Sequence, residues 1–321
     1  MSFTLTVPIN ENGIIVDPHI DEEIMHASKS PFSFSDVFIY SHGWWNTATR
    51  AASLYNIFSL GFVKRLNEIR DVAPADLPRV TSNFVALSLG LHWPSMISEN
   101  QDSVANFLEA TTFFTMERRA DDVGNHAAYA LIRMAIENWQ PGKPLTFNLV
   151  GHSFGCRVLL SALQSIAKDP GTLAKMNALG VNLNVALLQA AADCDSLCQG
   201  RLYGDVLGLP RLRMMVTTSN NDDALRKWYP AAQRLAHLFR DPIEAMGAVG
   251  PIGNLAVPVG DTFAVNNNAV RLPSANLSVV DLTPLHNAHS VAWGNSGSWG
   301  GQHSDINLPE IYELLARFFG N

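Results

Sequence analysis

Charge is scarce in this chain: only 16% of its 321 residues are Asp, Glu, Lys or Arg. Basic residues are the scarcer sign, 22 against 29 acidic for a net charge of −7, and no cluster of Lys and Arg is present that could follow a phosphate backbone. Nucleic acid is therefore not an expected partner. Long apolar runs are missing too. Hydrophobic residues make up 47% of the chain, but every stretch is interrupted well before the ~20 residues that a membrane span needs. The opening residues, MSFTLTVPINENG, have neither a basic segment nor a continuous apolar one, so a secretory leader is not expected. Cysteine is sparse and odd in number. Cys156, Cys194 and Cys198 are expected to be free, structural thiols in a reducing, cytoplasmic setting. Cys194 and Cys198 are spaced to share a helix face, but no histidine stands at ligand spacing, so no metal or other cofactor is expected.

What the chain does have is alternation. Apolar runs at residues 37–40, 84–89, 145–150, 185–189, 212–217 and 277–282 are short, rich in Val, Leu, Ile and Phe, and show little two-residue periodicity. That pattern predicts strands buried on both faces. A pair at 3–7 and 13–16, separated by Asn10-Glu11-Asn12, reads as an edge hairpin. Between the runs lie helical stripes. Leu54, Phe58, Phe62, Leu66 and Ile69 form one, and Met116, Ala120, Val123, Ala127, Leu131 and Met134 form another. Ile311, Leu314, Leu315 and Phe318 form a last one, with Pro309 in its first turn, where a missing N–H costs least. Strand–helix–strand repetition predicts an α/β fold, a mostly parallel central sheet with helices on both faces. No linker divides the chain, so residues 1–321 read as one domain. Residues 247–273, rich in Gly, Pro and Asn, break the rhythm as an irregular excursion, either a lid or a surface loop without a role.

Chemistry enters at Gly151-His152-Ser153-Phe154-Gly155. This G-x-S-x-G pentapeptide follows an apolar strand and precedes the helical pattern from Cys156. The sharp turn forces the serine backbone into a strained conformation and brings neighbouring chain close, so a Cβ on either flank would clash. The expected result is a nucleophilic hydroxyl presented to solvent at the carboxyl end of the sheet, with a helix N-terminus behind it. Earlier, the strand at 37–40 runs into Ser41-His42-Gly43-Trp44-Trp45-Asn46. Together with Trp93-Pro94-Ser95 and Met116-Glu-Arg-Arg-Ala-Asp-Asp-Val-Gly124, these motifs resemble a branch of poorly characterised bacterial α/β hydrolases, from about Val37 to the C-terminus. The excursion at 247–273 is not covered.

The resemblance implies that the His-Gly pair supplies the second donor of an oxyanion hole, formed by the backbone N–H groups of Trp44 and Phe154. His42 and Gly43 support that loop, His42 by hydrogen bonding rather than as base or ligand. At least one of Trp44 and Trp45 is expected to line an acyl pocket. The same fold implies the order Ser, acid, His. Asp222 is the preferred acid because Asp222-Asp223-Ala224-Leu225 fits the branch, leaving Asp223 as a helix cap and Asp193 and Asp195 as competitors. Three histidines follow the last strand. His303, just before the terminal helix, is preferred as base over His286 and His289, while His126 and His237 lie in helical patterns. The expected function is a serine hydrolase acting on a small-molecule carboxylic ester through an acyl-enzyme, active as imidazole loses its proton near its ordinary pKa of about 6.5. Thioesterase, amidase and acyltransferase activities use the same triad, and a silent hydrolase-fold binding protein is the alternative outside catalysis.

Overall fold

The apolar runs become strands of a single sheet. The computed structural model describes residues 2–20, 22, 34–44, 46–81, 84–96, 110–140, 142–236, 244–248, 255–266, 270, 273, 275–293 and 301–321. Its strands are β1 (Ser2–Pro8), β2 (Asp36–Ser41), β3 (Ala86–His92), β4 (Thr146–His152), β5 (Asn182–Leu188), β6 (Leu212–Thr218), β7 (Asp261–Ala264) and β8 (Leu277–Asp281). They form an eight-stranded sheet in the order β1-β3-β2-β4-β5-β6-β8-β7. Every neighbouring pair is parallel. The central strands lack alternation for a physical reason: helices cover both sheet faces, so nearly every residue of β4 and β5 is buried.

The helices are α1 (Ala48–Val72), α2 (Ala110–Val123), α3 (Tyr129–Asn138), α4 (Gly155–Ala167), α5 (Pro170–Leu179), α6 (Tyr229–Ala236), α7 (Thr283–Trp293) and α8 (Pro309–Gly320). Two cores result. On one face, Phe58, Phe62, Leu66 and Ile69 of α1 join Ile311, Leu314, Leu315 and Phe318 of α8 over Tyr40 and Val150. On the other, Met116, Ala120, Val123, Ala127 and Leu131 meet α4 over Ile39, Phe147 and Leu149. The stripe that runs from α2 into α3 passes through one wide π-helical turn, Gly124–Ala128, where a Cβ on Gly124 would fall 2.3 Å from the Val158 carbonyl oxygen. That turn lets α4 press close.

Two expectations need correction. The N-terminal hairpin reduces to one antiparallel bridge, Ile9 with Ile15, because residues 2–8 pair in parallel with β3 instead. The stretch at 247–273 is not wholly irregular either. It contains β7, a four-residue edge strand on β8, and Gly247 is bonded to Ala190 at the end of β5.

The strand order sets where a site can form. β2 lies between β3 and β4, so the chain winds outward from β2 to β3 and then returns to β4 on the other side. The direction of winding switches between β2 and β4, and the carboxyl ends of the strands at such a switch are the usual position for ligands in sheets of this kind. Among the described residues, no helix is long and apolar enough to cross a membrane.

Candidate active site

The nucleophile candidate stands at that switch between β2 and β4. Ser41 of β2 pairs with Gly151 of β4, so residues 42–44 and 152–154 emerge side by side. Ser153 has φ 55, a left-handed backbone that a non-glycine residue rarely adopts. Its N–H donates to the Leu188 carbonyl at 3.1 Å and its carbonyl accepts from Ala191 at 3.2 Å, which hold the turn. The flanking glycines answer to contact. A Cβ on Gly155 would fall 2.1 Å from the Ser41 carbonyl oxygen, and one on Gly151 would fall 2.7 Å from Cys156 Cα. The expectation of an open hydroxyl is corrected: Ser153 is only 6% exposed. The cause is the neighbouring loop, since Gly43 lies so close that a Cβ there would meet Ser153 Cβ at 2.6 Å and Oγ at 3.2 Å.

That loop is braced from several sides. His42, fully buried, donates through Nδ1–H to the Gly43 carbonyl at 2.8 Å, and its ring stacks on Trp93 at 5.3 Å. Asn46 Nδ2 donates to the Gly43 and Trp44 carbonyls, and Ser95 Oγ both accepts from Asn46 N–H and donates to its carbonyl. Arg119 Nη1 donates to the Pro94 carbonyl at 2.7 Å. The Trp-Pro-Ser and Met-Glu-Arg-Arg motifs, far apart in sequence, therefore meet behind one loop. Glu117 and Asp121 of the same motif clasp the buried Arg157 of α4, each at 2.6 Å. Burial pushes the Glu117 carboxyl up to about 6, with Arg157 pulling it back. The half-buried Trp44 ring meets Phe154 at 5.7 Å and Phe113 at 6.1 Å, and Phe113 continues to Tyr229 at 5.3 Å. Trp45 and His237 lie outside the described residues.

The acid and base candidates meet across 81 residues of sequence. His303 Nδ1 lies 2.7 Å from Oδ2 of Asp222, which is completely buried. An antiparallel bridge between Asp222 and Gly301 sets this register. Gly301, at φ 60, leaves no room for a Cβ, which would fall 2.4 Å from the Asn221 carbonyl oxygen. Asp222 Oδ1 accepts the Leu225 N–H at 2.9 Å. The capping expectation is thus reversed: Asp222 caps the helical turn, while Asp223 pairs with Lys227 at 2.9 Å. No hydrogen bond joins the Ser153 hydroxyl to His303.

The competitors are engaged elsewhere. Asp193 accepts from Tyr229 Oη and Gln233 Nε2, both at 2.7 Å, and Asp195 pairs with Arg201. The competing histidines, His286 and His289, lie in a helix. Both fall in α7, with His286 buried against Ser219 Oγ at 2.8 Å and His289 facing Glu310. The helix begins almost directly after β8, and these contacts engage both side chains. His126 contacts the Asn12 carbonyl in the wide turn before α3.

Gln189 is the residue that pattern reading missed. It follows β5 at φ 46, and its carboxamide donates to Asp222 Oδ2 at 3.0 Å and to the Gln302 carbonyl at 3.1 Å. The one available signal was a polar residue closing an otherwise apolar strand. His152, read only as the variable position of the pentapeptide, donates through Nε2–H to the His303 carbonyl at 2.9 Å. The three cysteines are free thiols. Among the described residues no group of three or more His, Cys, Asp or Glu side chains is placed to hold a metal ion. No known family model matches this chain, and no curated protein matches it.

Proposed function

We propose that the chain is a serine hydrolase of the α/β-hydrolase kind, cleaving small carboxylic esters through an acyl-enzyme. The observation that carries this reading is the His303 Nδ1 to Asp222 Oδ2 contact of 2.7 Å, made by a buried carboxylate. With Nδ1–H committed to Asp222, Nε2 is left unprotonated and free to act as base. In the proposed first step, Nε2 takes the Ser153 proton as Oγ bonds to the ester carbonyl carbon. The N–H groups of Phe154 and Trp44 hold the developing oxyanion. His303 then returns the proton to the departing alcohol. A water activated in the same way releases the acid and restores the serine.

The left-handed Ser153 and the closeness of Gly43 support the assignment, because strain of this kind concentrates where a side chain must be aimed. The absence of a Ser153–His303 hydrogen bond in the free protein is compatible with the mechanism, since catalytic hydrogen bonds often tighten only with substrate bound. The half-buried Trp44 ring, backed by the buried Phe113 and Phe154 rings, is the apolar surface proposed to meet the acyl group. The same proposal has the protein working in a reducing, cytoplasmic setting, a reading that its three free thiols support.

Reaction with a fluorophosphonate, followed by mapping of the adduct, tests accessibility and activation of the serine together. The expected adduct is on Ser153, absent in Ser153→Ala and formed far more slowly in His303→Ala. No adduct, or one on another residue, defeats the proposal.

A further inference from the structure

We infer that His152 is a positioning residue: it holds the main chain of the base and so fixes the distance between base and nucleophile. This inference rests on the triad reading above and adds a part to it. His152 immediately precedes Ser153, and its Nε2 lies 2.9 Å from the carbonyl oxygen of His303 itself. A carbonyl only accepts, so His152 carries its proton on Nε2. The two rings lie 4.9 Å apart and tilted by 38°, so the same side chain also bounds the base ring.

The rest of the base loop is tied down in the same manner. Gln302 N–H donates to the Asn221 carbonyl at 2.9 Å, and the Gln302 carbonyl accepts from Gln189 at 3.1 Å. Successive carbonyls of this loop are thus held by side chains from the ends of β5 and β4, the strand that carries the serine. Of these ties, only the one from His152 starts beside the nucleophile, so only it couples serine and base positions within one residue. Burial, with His303 next to it, holds the His152 imidazole down to about 3, so it stays a neutral donor and adds no positive charge beside the base.

The test compares His152→Ala, His152→Gln and His152→Asn in the full chain by fluorophosphonate labelling of Ser153. Gln places an amide N–H where Nε2–H stands, whereas Asn falls one methylene short. A displacement of about 1 Å costs on the order of 10²-fold in rate. The Ala and Asn variants are therefore expected to lose about 10- to 100-fold in the limiting labelling rate. Half-saturation should be unchanged and final labelling complete, and Gln should recover most of the rate. Asn and Gln share the same polarity, so their comparison stands even if the Ala variant does not fold. Equal rates for Gln and Asn, or a wild-type rate for Ala, would overturn the inference while leaving the hydrolase reading intact. Failure of the wild-type protein to label would instead remove the hydrolase reading.

Discussion

Buried carboxylates occur at both ends of the sheet, and their surroundings differ in an instructive way. At the amino end, Asp36 of β2 is 2% exposed and accepts from Arg79 Nη2 at 2.8 Å, Asn148 Nδ2 at 2.9 Å and Ser35 Oγ at 2.6 Å. Arg79 also bonds to Thr146, and Asn148 accepts from Asn184, so a polar ladder crosses β2, β4 and β5. At the carboxyl end, Asp222 is equally satisfied, by Leu225 N–H, Gln189 and His303. The donors at the first carboxylate are a guanidinium, a carboxamide and a hydroxyl, and a guanidinium cannot serve as a base. One donor at the second is the imidazole of His303, whose other nitrogen is the base in the proposed mechanism. Satisfying a buried carboxylate stabilises the fold in both places, but only one arrangement can also move a proton.

Strain separates the two ends less cleanly. Ser153 and Gln189 are left-handed at the carboxyl end, yet Arg211 at φ 52 precedes β6 at the other. Backbone outliers alone therefore do not identify the site. What distinguishes the carboxyl end is that two outliers there hold or present groups bonded to one another through Asp222, His303 and the serine turn.

The contrast can be broken most severely at Asp222. Asp222→Asn should lower ester hydrolysis or fluorophosphonate labelling on the order of 10⁴-fold by favouring the wrong imidazole tautomer. An activity within a few-fold of wild type would remove Asp222 from the mechanism. Gly43→Ala comes next. The added methyl would press on Ser153 Cβ, and steady-state rates should fall by about 10²–10³, the usual cost of a lost oxyanion donor. Asp36→Asn should do the opposite. Turnover per folded molecule should be preserved, while urea unfolding should report a loss of about 1–3 kcal/mol from a buried network missing one acceptor.

Comparable in size to the Asp36 effect is a pH dependence of stability. His42 is held down to about 4 by burial, with His92 adding to the lowering, and His152 down to about 3. Unfolded imidazoles bind protons near pH 6.5, well before these two can do so in the fold. Their stabilising contribution is thus full above about pH 6.5 and is lost as pH falls toward the lowered values. Glu117, raised to about 6, acts in the other direction between about 4.5 and 6. Two imidazoles outweigh one carboxyl, so thermal melts should shift down between pH 6.5 and 4.5. His42→Asn, which can keep the Nδ1-type donor to Gly43, should flatten that slope. An unchanged slope would assign the dependence to other groups.

Periodicity made the scaffold legible. The stripe from Phe58 to Ile69 and that from Met116 to Leu131 appear as helices because a buried helical face must repeat every three to four residues. The pentapeptide around Ser153 was visible because its glycines answer to local contacts with the chain beside them. The choice among histidines was different in kind. His286, close to the strand end, turns out to be locked in α7 against Ser219, and nothing local distinguishes it from His303. The N-terminal hairpin misled for the same reason, since the competing partner, β3, is about eighty residues away in sequence.

Sequence alone therefore determined the layered α/β architecture, the position of the sharp turn at Ser153 and the loop that faces it, because each is written in spacing and in residues that fit only one backbone shape. Tertiary structure decided which imidazole meets the buried Asp222, that Asp222 rather than Asp223 caps the following turn, and that Gln189 and His152 hold the loop carrying His303. These depend on hydrogen bonds between strands brought together only by sheet order. No local pattern can record a partner chosen at that distance.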